Sequence, residues 1–512
     1  MPKRDRPALA AAIDIGSTEL RMKIAQINKN KIRYPESLTY PLALGRDTFT
    51  TGKISFEKVD KACDIIKNFL LVTDEYGVAR ANVRAAATTA VRESSNIDYF
   101  LDQVKIKTGM VVSVIDDMEE KLYIYKMLTH MLKDSVKESA VMVYIGSGNI
   151  GAALLQNGRA PFTRNIKIGS LRISEMFGDI QEHLEFYLVL EEYLRTFTSL
   201  LPLFDGEINH FVAAGTEIAM LADITNTHSE DIFYHIPKEK FLSFYEDVKT
   251  KTTDQAALDY NLSNDKAELL LPTMSIFHDI LALTKAGEII ASDIMLSDAL
   301  LYETLCPIEF EMINKDFAKN AVLSAKMIAD KCGTYSAHCA LVSDFSQKIF
   351  DKLKKLHNMN SREKMLLQIG AVLHDIGKFI NITQHYEHSY KIILGSDIVG
   401  LNQTETEIVA NIALYHEGRV PAPTDVNYQK LSLVNRVMVS KLTAILSLAN
   451  ALDASHTQKF KSIDVKLSKS ELLVTVATDK NIDLEQWAFK DKSHFFEEVF
   501  GIKAIVRKKR VM

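Results

Sequence analysis

Cysteine is scarce in this chain, and no two cysteines form a CxxC pair: Cys63, Cys306, Cys332 and Cys339 are scattered over 512 residues. That speaks against a disulfide framework and for a reduced, cytoplasmic protein. An excess of positive charge is also missing. The 61 Lys and Arg against 66 Asp and Glu leave a net charge of -5. A general nucleic-acid coat is therefore not expected, although a local basic groove for a polyanion remains compatible with that balance. No apolar run reaches the roughly 20 residues that span a bilayer. The opening stretch "MPKRDRPALAAAIDIGS" is basic and then apolar, as a signal peptide is. Asp14 interrupts it early, so a buried first strand is the better reading. Disordered or repetitive blocks are absent too: 11 Pro and 21 Gly in a chain 47% hydrophobic and 25% charged are ordinary globular proportions.

The chain is too long for one hydrophobic core and has room for roughly three or four domains. Up to about residue 125 the pattern is α/β. Strand "ALAAAIDIG" leads through a turn to strand "RMKIAQI", then to a helical stretch, "SFEKVDKACDIIKNFLLVTDEYG". Strand "VRAAATTA", a polar turn at "RESSN" and a short strand "MVVSVI" follow, ending at Asp116-Asp117. Those acids can cap the helix "MEEKLYIYKMLTHMLKD". From about residue 138 the pattern restarts, with "AVMVYIG", a turn, "IGAALLQ" and "NGRAPFTRNIKIGSLRISEMFG". "HFVAAGT" opens a third glycine turn at Gly215, and helical segments run on to "IASDIMLSDALLYETLCP". A β-turn-β unit that recurs about 130 residues later points to two related halves facing each other. After Pro307 the texture changes. Ala318 to about Asp453 reads as mostly helical, with histidines at "SAHCALVSDF", "LHDIGKF", "HYEHSYK" and "LYHEGR". From about Lys461 the tail alternates and reads as a small β-rich cap.

A strand that ends in D-x-G-[ST] puts backbone N–H groups and a hydroxyl on one side of a tight turn, where they can cradle phosphate oxygens. Asp14 stands at such a strand end, where a carboxylate can hold a metal ion or its water shell. Ser17 and Thr18 can donate to an anion, and Arg21 can add positive charge. One such loop by itself reads as a plain hairpin. Three glycine turns in chain order, at Gly16, Gly146 and Gly215, shift the reading toward a phosphate site.

Taken together, these segments resemble the exopolyphosphatase / guanosine pentaphosphate phosphohydrolase (Ppx/GppA) family in its long form. That family is built on the fold shared by actin, sugar kinases and heat-shock ATPases. "AAIDIGSTELRM" is similar to the family's first phosphate loop, DxGSNSxR. "ATTAVRESSN", "VIDDMEEKL", "KIGSLRISEMF", "AAGT" and "LSDALLYETL" resemble further family segments in the same order. "AVLHDIGKFINITQHYEHSYKIILGSDIVGLNQTETEIVANIALYHEG" is similar to the HD-like helical domain of the longer members.

The resemblance implies an α/β fold of two actin-like (ribonuclease H-like, ASKHA) lobes at 1–127 and 128–308. An all-α HD-like domain at 309–458 and a small cap at 459–512 would follow. It implies that Glu120, the second acid of the EE pair, activates the attacking water. Without it, Glu119 and Glu120 read as first-turn acids suited to the positive end of a helix. Phosphate contacts are implied for Asp14, Gly16, Ser17, Thr18, Arg21 and Arg92. The second loop would add Gly146, Ser147, Gly148 and Asn149, and the third Gly215 and Thr216. Mg²⁺ or another divalent cation, held in part by Asp14, would offset phosphate charge. Departures from the family pattern cluster in the second loop. Tyr144 replaces an Asp, Ser147 a Gly, Asn149 a Ser and Gly151 a Glu. Glu19 adds a negative charge to the first loop, and Lys121 replaces the alanine after the EE pair.

In the helical region His338, His374 and Asp375 resemble the ligands of an HD metal site. An imidazole and a carboxylate side by side suit a divalent metal. The expected fourth ligand falls on Asn450, a poorer one, or on Asp453 one helical turn on. His385, His388 and His416 lie nearby in the sequence. The favoured expectation is that this domain keeps the HD fold without metal, its histidines hydrogen-bonded or lining a phosphate channel beside Lys378 and Arg419. The basic end "VRKKR", Val506 to Arg510, is either another such patch or a solvated tail.

The leading functional expectation is an exopolyphosphatase-like hydrolase that releases orthophosphate from inorganic polyphosphate, with guanosine pentaphosphate as second substrate. A polyphosphate or guanosine tetraphosphate sensor without turnover is the alternative. A metal phosphohydrolase working at His374-Asp375 is the third. A homodimer without membrane or specific nucleic-acid partners is expected from the resemblance.

Overall fold

The apolar run before the first glycine turn forms β1 (Leu9–Ile15), and the run after it forms β2 (Glu19–Asn28). The computed structural model describes residues 9–28, 31–178, 180, 185–198, 207–225, 227, 232–334 and 337–509. It divides into two units, residues 1–317 and 318–512.

Besides β1 and β2, the first unit contains β3 (Lys31–Pro41), β4 (Val83–Ala87), β5 (Val112–Val114), β6 (Ser139–Ile145) and β7 (Ile150–Gln156). It also holds β8 (Arg159–Ile166), β9 (His210–Ala214), β10 (Phe233–Pro237) and β11 (Glu288–Ser292). One sheet has the order β3-β2-β1-β4-β5, and the other the order β10-β11-β9-β6-β7-β8. Read from its other edge and without β10, the second sheet repeats the first: two antiparallel pairings followed by two parallel ones. The repeat reaches single residues. β1 and β6 share one burial pattern along their seven positions, and Asp14 and Tyr144 are both sixth. Asp14 faces Arg21 across its hairpin, and Tyr144 faces Gly151 across the equivalent one.

Three parts of the sequence reading change. β3 lacks a buried face and carries Pro35, which an edge strand tolerates; no alternation marks it. β10 and β11 lie in a stretch read as helical, because "EIIAS" is too short to separate a buried strand from a helix turn by periodicity. The strand "VRAAATTA" ends at Ala87, and Thr89–Arg92 turns into a short helix. The helix Asp117–Met131 starts as expected, with Asp116 Oδ1 accepting from Glu119 N at 2.8 Å.

The second unit is built on the helices Ala337–Lys352, Ser361–Leu373, His385–Leu394, Gln403–Tyr415 and Leu433–Ala451. Reciprocal capping boxes, Asn360 with Glu363 and Asn402 with Glu405, start two of them. The tail forms β12 (Ile463–Leu467), β13 (Glu471–Ala477) and β14 (Lys503–Lys509), in the order β12-β13-β14. It also contains an 18-residue helix, Asp483–Phe500, so the small cap is α+β. Val474, Phe489 and Phe496 share one apolar core with Phe345, Leu446 and Leu448 of the helices. The Arg510 of the basic end lies outside the described residues.

Candidate functional site

In the first unit the strand-end turns of both sheets open into one cleft of about 640 Å³. Asp14, Gly16, Ser17, Thr18 and Arg21 line it from the first half, with Glu120 beside them. Gly146, Ser147, Gly148, Asn149 and Gly215 line it from the second. The first two turns are closed alike. Gly16 N donates to Glu19 O at 3.1 Å, and Gly146 N to Asn149 O at 2.9 Å. Gly215 has φ +134°, a conformation open to glycine and strained for other residues. The side chain of Thr216 lies outside the described residues. Thr88, Thr89, Glu217 and Met295 also line the cleft. Of these, Glu217 is an acid two residues past the third glycine turn, the one signal in the sequence that could have marked it.

Arg92 does not line the cleft. Its Nη1 donates to Ile115 O at 2.6 Å, and its Nη2 to Thr89 Oγ1 at 3.1 Å and to Asp117. Its guanidinium instead ties the short helix Thr89–Arg92 to the first turn of the helix that carries Glu120. Arg21 stays on the cleft wall, paired with Glu19 and packed against Met295. The negative charge that Glu19 brings is thereby offset within the loop.

Glu120 is buried. Its Oε1 accepts from the Tyr144 hydroxyl at 3.0 Å, while Oε2 is buried and has no partner among the described residues. Burial raises its pKa, opposed by Lys121 and Arg92 and by the Tyr144 hydrogen bond. Asp14 Oδ1 is likewise buried and unpartnered. Its carboxyl is pushed up from 3.8 to about 6, chiefly by burial, with Arg21 opposing and Glu120 adding repulsion. The tyrosine that stands in the second copy of the strand end thus touches the acid expected to do the chemistry. Tyr144→Phe removes the donor that holds Glu120 down. A pH–rate profile of that variant is expected to show the rising limb moved to higher pH, and an unmoved limb would sever Tyr144 from the titration.

Two substitutions thirty residues apart are one change in space. A Cβ on Gly151 would stand 2.4 Å from Lys121 Cδ and 2.4 Å from Tyr125 Oη. The Lys121 stem therefore fills the room that a side chain at 151 would need. Its buried ammonium donates to Asn149 Oδ1 at 2.7 Å and to Asp117 O at 3.3 Å. Asn149 Nδ2 donates in turn to Thr89 Oγ1 at 3.3 Å and to Asp117. The Asn149 side chain is spent on fixing the second loop, which leaves the loop backbone to face the cleft.

In the second unit, His374 and Asp375 come together with His385 and His416. His338 joins the same cluster, its Nε2 4.0 Å from Asp375 Oδ2 and its ring 5.4 Å from that of His374, while its Nδ1 meets Asp453 Oδ2 at 2.8 Å and its Nε2 meets Asn450 Oδ1 at 2.9 Å.

A family model described as the Ppx/GppA phosphatase family matches residues 23–306, and one described as domain III of Ppx/GppA phosphatases matches residues 323–492. The first loop, Asp14–Thr18, precedes the first match and joins the site through its geometry. The guanosine-5'-triphosphate,3'-diphosphate pyrophosphatase of Vibrio atlanticus is 21% identical over 414 residues, which cover 79% of this chain and 80% of that protein. The bifunctional 3-dehydroquinate synthase/phosphatase of Fusobacterium nucleatum is 26% identical over 178 residues, or 33% of this chain. The chain spans only 26% of that protein's length. Among solved structures, a Ppx/GppA family member from Aquifex aeolicus is similar at TM-score 0.50 and 24% identity, covering 59% of this chain and 98% of that one. An exopolyphosphatase from Cytophaga hutchinsonii is similar at TM-score 0.52 and 19% identity, again over 59% and 98%. These structural likenesses bear on the fold alone, which is the actin-like one of two related sheets.

Proposed function

The chain belongs to the Ppx/GppA phosphatase family, and from that premise we propose that its first unit hydrolyses the terminal phosphoanhydride of a polyphosphate. Inorganic polyphosphate is the leading substrate and guanosine pentaphosphate the second. The observation that carries the reading is Glu120 Oε2: a buried carboxylate oxygen with no partner among the described residues, in a cleft walled by three glycine turns. In this reading the turns hold the terminal phosphate by backbone N–H groups, and Arg21 neutralises part of its charge. Glu120 takes a proton from the water that attacks phosphorus. The bond from that phosphorus to the bridging oxygen breaks, the shortened polyphosphate departs with that oxygen, and the attacked phosphorus is released as orthophosphate. Asp14 Oδ1, buried and unpartnered, fits the hard oxygen ligand that Mg²⁺ or a similar cation requires. Such an ion, when bound, offsets charge on the leaving phosphate.

A second reading has its own observation. Tyr144 covers Glu120 Oε1, and the Lys121 stem occupies the room beside Gly151. Both favour a cleft that grips polyphosphate and turns it over slowly or not at all. One experiment separates the two. Purified protein with Mg²⁺ is given polyphosphate or guanosine pentaphosphate, orthophosphate release is followed, and binding is titrated in parallel. Release supports the hydrolase. Binding without release under several divalent metals supports the sensor. Neither result removes both readings.

The pH dependence carries a definite sign. The proposed chemistry needs Asp14 and Glu120 ionised, and both are held above their ordinary range. Because the two interact, they titrate as a pair. kcat/KM is expected to rise with pH along a limb centred near the value of about 6 shown by Asp14. Stability runs the other way. The contribution of Asp14 is full below 3.8 and is lost as pH rises through about 6. A limb centred well below 5 would contradict the buried pair.

A further inference from the structure

Tyr144 and Gly151 face each other across the hairpin of β6 and β7, and both places lie against the helix that carries Glu120. The Tyr144 hydroxyl donates to Glu120 Oε1 at 3.0 Å. The room beside Gly151 is filled by the Lys121 stem, since an added Cβ would stand 2.4 Å from Lys121 Cδ and 2.7 Å from Lys121 Cε. At both places the pattern of the family has an acid. Carboxylates there would stand near Glu120 and oppose its negative charge. This chain has a neutral donor at one place and the stem of an ammonium in the other. Both exchanges favour an ionised Glu120.

The charges that face Glu120 come from four elements. Tyr144 approaches from β6, Asp14 from β1, Arg92 from the short helix Thr89–Arg92, and Asp117 and Lys121 from its own helix. Asp14 and Asp117 oppose its ionisation, while Arg92 and Lys121 favour it. The two cations are not equivalent. The Arg92 guanidinium is paired with the Asp117 carboxylate, so much of its field is cancelled where it arises. Lys121 Nζ donates to two uncharged oxygens, Asn149 Oδ1 at 2.7 Å and Asp117 O at 3.3 Å. Burial is the largest influence on the Glu120 carboxyl and pushes its pKa up; the Lys121 charge is the strongest of those that pull it down. Lys121 is 2% exposed, and the field of a buried charge is little screened by salt. Its position is fixed as well. The stem is packed against Gly151, and Asn149 is anchored on Thr89 and Asp117.

We propose that Lys121 is a positioning residue for the hydrolysis: its buried ammonium keeps Glu120 in the ionised form that accepts a proton from water, and through Asn149 it ties the second loop to the helix of that base. The proposal rests on the hydrolase reading of the cleft and gives its base a counter-charge from within the chain.

The test uses the full chain and two neutral variants. Lys121→Met keeps most of the stem, and Lys121→Gln also keeps a donor for Asn149. Unfolding midpoints are measured at pH 5 and pH 8, which needs no turnover. Both variants are expected to fall below wild type, with a gap that widens toward pH 8, because Glu120 is ionised only at the higher pH and its ionised form is what the lysine stabilises. At pH 8 the cost of Lys121→Met is expected to be smaller in a Glu120→Gln background than in wild type. In phosphate release, the rising limb of kcat/KM is expected to move up by about one pH unit, giving a roughly ten-fold greater loss on its acid side than above it. Should Lys121→Met not fold, Lys121→Gln carries the same comparisons. A gap equal at both pH values and undiminished by Glu120→Gln makes Lys121 a packing residue and, where wild type releases orthophosphate, overturns the proposal alone. Absence of release from wild type overturns the hydrolase reading and the proposal with it.

Discussion

Glu120→Gln is expected to lower the rate of orthophosphate release by about 10³-fold, while polyphosphate binding is kept or tightened. The amide has the size of the carboxylate and can still accept from Tyr144, so the loop and helix geometry need not change. What it loses is the proton acceptor at Oε2, and a positioned general base contributes about 10² to 10⁴ in rate. Binding is spared because the substitution removes a negative charge beside a polyanion. A second readout separates this account from simple damage to the fold. The carboxyl of Glu120 is raised by burial, so its ionised form destabilises the folded state. Glu120→Gln is therefore expected to melt at a higher temperature than wild type at pH 8, with the difference fading toward pH 4. Activity within ten-fold of wild type would falsify the general-base role. Loss of binding along with turnover would make Glu120 a binding residue instead.

Much of this cleft was legible in the sequence because its pieces are local. A glycine turn between two apolar runs marks itself, and its recurrence about 130 residues on marks the second half. Asp14, Gly146 and Gly215 accordingly meet where three turns in chain order placed them. What was not legible depends on packing between distant segments. Lys121 and Gly151 read as two unrelated departures, whereas the lysine stem occupies the room beside the glycine. The phosphate contact expected of Arg92 is one that the family resemblance implies for "ATTAVRESSN". The cost of leaving a half-buried guanidinium unpaired is met by Asp117 and the Ile115 carbonyl. The histidines show the same limit. His385 and His416 lie 11 and 42 positions beyond His374, and only helix packing brings their free nitrogens onto one carboxylate. Strand β3 escaped for a different reason: exposed at most of its positions and buried at none of those described, it has no hydrophobic pattern to read.

Gly169→Ala is expected to disable the cleft from outside it. Gly169 precedes the helix Ser170–Phe177 with φ -125° and ψ 170°, a conformation alanine adopts freely, so no backbone strain is involved. The obstacle is space. An added Cβ would stand 2.4 Å from Gly146 O, from Ser147 C and from Gly148 N, all three in the backbone of the second loop. A side chain can swing away from such a contact; a closed turn can yield only by moving as a unit. That turn is also fixed on its far side, through Asn149 to Lys121 and Thr89. The methyl group therefore pushes the loop toward the site where phosphate is proposed to bind. A displacement on the order of 1 Å costs about 10²-fold in kcat/KM, and overpacking costs about 1–3 kcal/mol of stability. Gly287→Ala is the control, since a Cβ there meets nothing within 4 Å, and it is expected to change neither quantity. Phosphate-release kinetics and denaturant unfolding of the two variants give the comparison. If Gly169→Ala retains wild-type kcat/KM, the second loop is not the grip on which both the hydrolase and the sensor readings depend.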